Sequence, residues 1–443
     1  MTLDELRAAV ADGGIDTVVV AMTDMQGRLV GKRLDAGHFL ETAGEGESVE
    51  GCNYLLAVDM EMDPVPGYEM ASWERGYGDF DLRPDLATLR RIPWLEATAL
   101  VIADVAWHDG SPVRPSPRQV LREQVEKARV LGFEPMFGSE LEFYLLKETY
   151  AQAHAKGYTD LTPSVPYNLD YHLLATSYDE PFIRAVRLGM KGAGIRVESS
   201  KGEAWPGQQE INFRFTDAVA MADSHVIYKT GIKELAHQHG CSVTFMAKPD
   251  HRWIGSSCHI HSSLWKDGRN AFEDESETFQ HYLAGQIACA AEMAIFLAPN
   301  VNSYKRYAAG SWAPTTLAWG HDNRTCGFRI VGSGPRLRGE TRIPGADANP
   351  YLAFAALLAA GLHGIEKGLP LPPAFVGNAY ESEVQRFPPN LRDAIMKLEG
   401  GSVARGALGT DVVDHYLTYA RTEQALFDKV VTGYERERLF ERG

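Results

Sequence analysis

Short apolar stretches separated by turn-forming residues characterise the first part of the chain. A β-branched run, a turn rich in Asp and Gly, and a second extended run follow one another and predict a hairpin over 16–34. Another apolar run predicts a strand over 99–107. Residues 41–53 and 63–94 are rich in Glu, Gly, Pro and Asp, so we expect a loop and a long irregular stretch there.

The densest group of turn-forming residues, 109–117, predicts a boundary between two domains, 1–110 and 111–443. In the second domain strands and helices alternate. Helical spacing predicts helices over 118–131 and from the N-cap and N1 pair Asn349-Pro350 to about Glu366. The pattern as a whole is typical of an α+β fold.

Composition excludes several classes of function. The 443 residues include 44 basic and 59 acidic side chains, a net charge of −15, which argues against nucleic-acid and anionic-membrane binding. Five cysteines without a CxxC pair argue against a disulfide framework. With an acidic N-terminus and no apolar run long enough to span a bilayer, the chain is expected to be cytoplasmic.

Charged and polar side chains recur at every second position on four strand-like segments. Alternate positions share one face of a strand, so each segment presents a set of chemically active groups on one face. The sets are Glu140 and Glu142; Glu210, Asn212 and Arg214; His259, His261 and Ser263; and Arg338, Glu340 and Arg342. One such strand alone is typical of a solvated sheet face. Four together predict a cavity where carboxylates and an imidazole hold Mg²⁺ or Mn²⁺ and arginines hold phosphates, as phosphoryl transfer requires.

Longer motifs give the chain a family resemblance over nearly its whole length. The motifs are Gly138-Ser-Glu-Leu-Glu-Phe, Glu203-Ala-Trp-Pro-Gly-Gln-Gln-Glu210, Gly255-Ser-Ser-Cys-His-Ile-His-Ser-Ser, Asn302-Ser-Tyr-Lys-Arg, Asn323-Arg-Thr-Cys-Gly-Phe-Arg and Arg338-Gly-Glu-Thr-Arg-Ile-Pro-Gly-Ala-Asp-Ala-Asn-Pro-Tyr. In this order they resemble the type I-like glutamine synthetases. The resemblance implies a small N-terminal β-grasp domain and a large C-terminal catalytic domain, in which antiparallel strands surrounded by helices form a funnel. It also implies a homo-oligomer of two stacked hexameric rings, in which the N-terminal domain completes a neighbour's site.

The resemblance assigns a role to individual residues. It implies about two or three divalent ions per subunit. Glu142, Glu203 and Glu210 would hold one ion, and Glu140, His259 and Glu340 another. The ATP-binding positions would be Glu198, Phe215, His261, Ser263, Arg329 and Arg338. Glutamate would be held by Gly255, Arg306 and Arg342, and Arg324 would neutralise the transferring phosphoryl group.

Two positions depart from the pattern of the ammonia-using members. The flap, Tyr307-Ala-Ala-Gly-Ser-Trp-Ala-Pro, carries Trp312 where those members typically have a Glu that binds ammonium. The nearest match to a second catalytic carboxylate is Glu50. A lost carboxylate weakens a site for a small cation, whereas Trp offers an apolar wall and a π face. Trp312 is therefore an amine-site candidate, although it could also simply pack beneath the flap.

The sequence thus predicts an ATP-dependent ligase that forms a γ-glutamyl amide from glutamate and an organic amine through γ-glutamyl phosphate. The amine could be a polyamine or a monoamine such as ethanolamine. One alternative is an ordinary glutamine synthetase that uses ammonia. A remote alternative is a non-catalytic structural or regulatory relative, which would be expected to have lost metal-binding or phosphate-binding residues.

Overall fold

The computed structural model describes residues 1–443, and its N-terminal part is built on a six-stranded sheet. The strands are β1 (Thr17–Thr23), β2 (Leu29–Asp35), β3 (Val49–Cys52), β4 (Asp79–Pro84), β5 (Arg90–Arg91) and β6 (Thr98–Ala106). Their order is β2-β1-β6-β4-β3, with β5 paired to β6. Two helices, α1 (Leu3–Ala11) and α2 (Ala36–Glu41), accompany this sheet. The predicted hairpin is confirmed, because β1 and β2 pair antiparallel, and β6 confirms the strand predicted over 99–107.

Two irregular stretches predicted in this part are more ordered than expected. Strand β3 lies inside the predicted loop 41–53, and β4 and β5 lie inside the predicted irregular stretch 63–94. The expectation was wrong for β4 because Phe80 and Leu82 alternate with acidic residues and are buried against β6 and β3. So short an alternation was not predicted as a strand because the surrounding residues are rich in Pro and Gly, which are typical of irregular structure.

A ten-stranded sheet forms the framework of the rest of the chain. Its strands are β7 (Glu134–Leu146), β8 (Val197–Gly202), β9 (Gln208–Phe213), β10 (Thr216–Asp217), β11 (Ser242–Thr244), β12 (Cys258–Lys266), β13 (Arg269–Asn270), β14 (Trp319–His321), β15 (Phe328–Val331) and β16 (Arg338–Thr341). The main order is β14-β15-β16-β12-β7-β9-β8. All pairs are antiparallel except β14 with β15. The α+β prediction is therefore confirmed.

Helices surround the second sheet. They are α3 (Pro117–Val130), α4 (Tyr150–Ala155), α5 (Leu173–Gly192), α6 (Ala218–Gln238), α7 (Glu277–Cys289), α8 (Ala294–Leu297), α9 (Val301–Tyr304), α10 (Pro350–Lys367), α11 (Leu391–Glu399), α12 (Val403–Leu408), α13 (Thr410–Phe427) and α14 (Gly433–Leu439). The two helices predicted from spacing are α3 and α10. Helix α10 is capped by Asn349 and stopped by Gly368, whose φ of +58° suits glycine. None of the helices combines the length and the apolar character that crossing a bilayer would need.

A buried arginine connects the two sheets. Arg118 at the start of α3 donates to Asp85 and Asp104 of the N-terminal part, at 2.8 and 2.5 Å, and to Asp223 of α6. Only 4% of its side chain is exposed, so the charge depends on these carboxylates. One continuous apolar core also runs from Leu6 to Ala420. The N-terminal sheet is thereby fixed against the helices that support the second sheet.

Candidate active site

The chemically active side chains come together because four neighbouring strands, β16, β12, β7 and β9, are paired in a suitable register. Glu142 lies opposite Glu210, and Glu140 lies opposite His259. His261 lies opposite Glu340 on the other side of β12. Since paired residues of adjacent strands point to the same face, these side chains form one cluster.

Within this cluster, two groups of three ligand atoms lie close enough to hold a metal ion. Glu140, His259 and Glu340 form one group, and Glu142, Glu210 and His259 form the other, with ligand atoms within 4.8 Å of one another. His259 is shared by both groups, so they adjoin. Carboxylate oxygens with one imidazole nitrogen suit a hard divalent ion.

Two guanidinium groups neutralise Glu340, whose side chain is fully buried. Arg342 Nη1 donates to Oε1 at 2.6 Å, and Arg329 Nη1 donates to Oε2 at 2.9 Å. Burial alone would raise the pKa of Glu340, but the neighbouring His259, His261 and Arg342 lower the pKa to about 2. This carboxylate is therefore ionised without any metal.

Glu140 is held by a chain of hydrogen bonds. Arg338 Nε donates to His261 Nδ1 at 3.1 Å, and His261 Nε2 lies 2.9 Å from Glu140 Oε1. Because Nδ1 accepts, the proton of His261 belongs on Nε2, which donates to the carboxylate. Burial would raise the pKa of Glu140, but His261 and His259 together hold it well below its ordinary value.

The part of the cluster around Glu142 and Glu210 has fewer positive charges nearby. Neither Glu142 nor Glu210 forms an ion pair, although the Ser257 backbone N–H donates to Glu142 at 2.8 Å. Burial raises the pKa of Glu142, and that hydrogen bond offsets only part of the effect. Burial, followed by the charges of Glu203 and Glu140, raises the pKa of Glu210 far above its ordinary value. A bound cation would remove this repulsion.

Glu203 departs from its expected position among the ligands. Its carboxylate is absent from both three-ligand groups and pairs instead with Lys201 Nζ at 2.5 Å. Burial and the charge of Glu142 raise the pKa of Glu203 to about 7, while Lys201 lowers it. Lys201 was not among the predicted residues, although alternation along β8 places it on the same face as Glu203, two residues later.

Two of the predicted nucleotide positions, Phe215 and Arg338, lie close to His261. Phe215 is exposed, its ring centroid lies 6.0 Å from that of Trp265, and Ser263 accepts a hydrogen bond from the Trp265 indole. Gly138 separates Phe215 from His261, since a Cβ there would lie 3.5 Å from Phe215 Cβ and 3.8 Å from His261 Cβ. Glu198 is exposed, at an irregularity in the pairing of β8 with β9.

The predicted glutamate residues form a compact unit. Arg306 is buried, and its Nη2 donates to the backbone oxygens of Arg342, Ile343 and Pro344. Its Nε has no partner in the structure, and neither does the Nε of Arg342. Gly255 packs so closely on the Arg306 side chain that a Cβ at that position would clash.

Three further predicted residues belong to neither three-ligand group. Arg324 is exposed in the turn between β14 and β15, and Glu50 is exposed on β3 of the N-terminal sheet. Trp312 is 57% exposed and has a φ of +65°, so it does not pack beneath the flap. The Trp312 carbonyl accepts a hydrogen bond from Arg342 Nη2 at 3.5 Å, which connects the flap to the cluster.

Gln208 is a second residue at the cluster that was not predicted. Its Nε2 donates to the Gly255 carbonyl at 3.1 Å and lies 3.3 Å from Glu142 Oε2. It therefore connects the ligand cluster to the segment before β12. An amide two residues before Glu210 follows the same alternation and could have been found by it.

Comparison with known proteins gives one family along the chain. The family model for the glutamine synthetase catalytic domain matches residues 114–439. Gamma-glutamylethanolamide synthetase GlnA4 of Streptomyces coelicolor is 52% identical over 444 residues, covering 99% of this chain and 96% of that protein. Glutamate–isopropylamine ligase of a Pseudomonas species is 37% identical, covering 99% and 97%. A solved structure of GmaS in complex with ADP has a TM-score of 0.85 at 29% identity, covering 98% and 99%.

Proposed function

The chain belongs to the glutamine synthetase family, and we propose that it is an ATP-dependent ligase joining the γ-carboxyl of glutamate to the nitrogen of an organic amine. The observation that carries this proposal is its likeness, over 99% of its length, to two proteins named for ethanolamide and isopropylamine ligation. The exposed Trp312, where ammonia-using relatives are expected to carry a Glu, supports it.

The ligand cluster suits the divalent metal that the family uses. Glu140, His259 and Glu340 would hold one ion, and Glu142, Glu210 and Glu203 another, with Glu203 turning from Lys201. The donors are five carboxylates and an imidazole, which favour Mg²⁺ or Mn²⁺, and two or three ions per subunit is our proposal. When bound, these ions would offset charge on the phosphates and polarise the reacting phosphorus.

For ATP, we assign an aromatic and polar set comprising Glu198, Phe215, His261, Ser263, Arg329 and Arg338. Phe215 offers an exposed ring on which a base can stack. The hydrogen-bonded pair of Arg338 and His261 supplies positive charge beside Glu140, where phosphate oxygens would approach.

For glutamate, we assign Gly255, Arg306 and Arg342. The two buried guanidinium groups each keep an unpartnered Nε, so each has donor capacity left for a carboxylate. Arg324, which is exposed, would approach the transferring phosphoryl group.

The reaction then has two steps. A γ-carboxylate oxygen of glutamate attacks the γ-phosphorus of ATP, and ADP leaves, giving γ-glutamyl phosphate. The nitrogen lone pair of the neutral amine attacks the acyl carbon, phosphate leaves, and the nitrogen loses a proton. Trp312 would form an apolar wall beside this amine, and Glu50 is the candidate proton acceptor.

Glu50 lies on the N-terminal sheet, so its participation depends on assembly. We propose a homo-oligomer of two hexameric rings in which domain 1–110 of one subunit completes the site of domain 111–443 in its neighbour. The exposure of Glu50 supports this arrangement.

The test is product formation by the purified protein with glutamate, ATP and one amine at a time. Ethanolamine, methylamine, isopropylamine, putrescine and ammonium are compared by phosphate release and by mass spectrometry of the γ-glutamyl product. We expect turnover with an organic amine to exceed turnover with ammonium. Turnover with ammonium alone would establish an ordinary glutamine synthetase, and no nucleotide binding at all would favour a non-catalytic relative.

A further inference from the structure

The flap, residues 307–314, leaves the side chain of Trp312 largely in solvent. The indole is 57% exposed, and the residue has a φ of +65°, in the left-handed region that a bulky residue rarely adopts. A backbone conformation of this kind persists only where neighbouring contacts impose it. The contacts made by the flap backbone therefore determine where the indole lies.

Two side chains hold consecutive carbonyl groups of the flap. Arg342 Nη2 donates to the Trp312 carbonyl at 3.5 Å. Tyr380 Oη donates to the Ala313 carbonyl at 3.0 Å. Ala313 is buried whereas Trp312 is exposed, so the bond from Tyr380 holds the flap where its backbone returns to the protein interior. The shorter of the two bonds thus comes from a residue with no other place in the site.

Tyr380 is itself attached to the segment that follows the flap. It is half-buried in the 3₁₀ turn Ala379–Glu381. Arg386 Nη2 donates to the Tyr380 carbonyl at 3.5 Å, and Nη1 donates to Thr315 Oγ1 at 3.3 Å. The backbone of Arg386 also forms an antiparallel bridge with Thr316. The phenol can therefore hold the flap without contacting a substrate.

We propose that Tyr380 is a positioning residue that fixes the flap so that the Trp312 indole forms one wall of the amine site. The inference rests on the proposed function, in which Trp312 lies beside the amine, and adds a residue to it. The hydroxyl acts through the flap backbone and takes part in neither chemical step. Without its hydrogen bond the indole would be less well ordered, and amine binding would have to order it.

Tyr380→Phe tests this role, because it removes the hydroxyl and keeps the ring. Steady-state kinetics of the full chain, with the organic amine that the unaltered protein uses best, measures the effect. We expect the KM for the amine to rise about fivefold to tenfold, which corresponds to the loss of one hydrogen bond. We expect kcat and the KM for ATP to change less than about twofold, since neither step of the chemistry uses the phenol.

Two further variants separate positioning from a general structural effect. Tyr416→Phe removes another tyrosine hydroxyl that donates to a backbone carbonyl, that of Pro115 at 2.7 Å, and should leave the KM for the amine unchanged. Trp312→Ala should raise this KM. Adding Tyr380→Phe to Trp312→Ala should raise it no further, because the phenol acts through the indole. A further rise in the double variant would overturn the inference.

Fluorescence anisotropy gives a readout that does not depend on turnover. The chain has eight tryptophans, so the emission of Trp312 is obtained by subtracting the emission of a matched Trp312→Phe protein. We expect the anisotropy of this emission to fall in Tyr380→Phe, since the indole moves more freely, and to stay the same in Tyr416→Phe. An unchanged anisotropy in Tyr380→Phe would overturn the inference. Thermal unfolding shows whether each variant is folded.

The outcomes distinguish this inference from the proposed function. If the unaltered protein ligates an organic amine but Tyr380→Phe has the same KM for that amine, the inference is wrong and the proposed function stands. Equal rises in the KM for the amine, glutamate and ATP would also overturn the inference, because they would indicate a general structural defect. If the unaltered protein makes no γ-glutamyl amide from any organic amine, the proposed function itself is wrong, and the inference fails with it.

Discussion

The two halves of the ligand cluster lie side by side on one sheet, yet their charge is balanced in different ways. In the half around Glu340, the chain supplies its own cations, Arg329 and Arg342, within 3 Å of the carboxylate. In the half around Glu210, the carboxylates have no ion pair except the one between Glu203 and Lys201. The first half is neutralised within the folded protein, whereas the second would need a bound cation to remove its repulsion.

The two halves should therefore contribute differently to folding stability and to metal binding. A carboxylate whose pKa is lowered by His259, His261 and Arg342, as that of Glu340 is, contributes to folding stability and would already be arranged for metal binding. Carboxylates with raised pKa values destabilise the folded state when they ionise, and a bound cation would relieve that destabilisation. We therefore call these the arginine-supported half (Glu140, His259, Glu340) and the metal-dependent half (Glu142, Glu203, Glu210).

The largest effect is expected from Glu340→Gln. The substitution leaves Arg342 buried without an anion and leaves Arg329 with only the exposed Asp322, so unfolding free energy should fall by about 3–5 kcal/mol, the range for breaking a buried ion pair. Chemical denaturation of the metal-free protein measures it. A loss below about 1 kcal/mol would show that the arginines find other partners. The proposed difference between the two halves would then be wrong.

Glu210→Gln should change the free energy of unfolding in the opposite direction in the metal-free protein. Removing a buried, unpaired carboxylate should raise the unfolding free energy by about 1–3 kcal/mol. The same variant should lose most of the stabilisation that Mn²⁺ gives the unaltered protein, which thermal unfolding with and without Mn²⁺ records. Destabilisation comparable to that of Glu340→Gln would mean that the two halves are balanced alike.

The two halves should also differ in how stability and metal affinity depend on pH. Glu203 has a pKa of about 7 when folded against an ordinary 4.5, so between these values the folded state binds more protons. The metal-free protein should lose stability as pH rises through this window. Metal binding displaces those protons, so Mn²⁺ affinity should rise about tenfold per pH unit for each proton released. Titrations at pH 5.5, 6.5 and 7.5 measure the slope, and a flat profile would contradict it. The Glu340 carboxylate, with its pKa of about 2, should not titrate in this range.

The smallest effect is expected from Asp322→Asn. Asp322 pairs with Arg329 but is 75% exposed, so water screens the interaction and unfolding free energy should change by at most about 1 kcal/mol. Arg329 keeps Glu340 as its buried partner. This variant is the matched control for Glu340→Gln, because both remove an anion from the same arginine. A change as large as that of Glu340→Gln would show that the exposed Asp322 is the main partner of Arg329.

Much of the framework could be predicted from local patterns. The hairpin β1–β2, helix α3 and helix α10 follow from turn residues, helical spacing and caps, all of which act within a few residues. Strand β4 could not be found in this way, because its short alternation is stabilised by pairing with β6 and β3, which are distant in sequence.

Alternation also placed Glu140, Glu142, Glu210, His259 and Glu340 on inward faces, and the register of four strands brings them together. It did not find that Glu203 turns toward Lys201. Alternation specifies a face of the strand, but not which of several neighbouring charges a flexible side chain contacts.

The amino-acid sequence by itself determined which residue types share a strand face, and the motifs indicated the family, because both depend on spacing along the chain. The tertiary structure decided how charge is divided among those residues. The arginines that neutralise Glu340, the orientation of His261 and the pairing of Lys201 with Glu203 all depend on distances between separate strands. Electrostatic interactions in a buried site change steeply with such distances, and a linear pattern does not contain them.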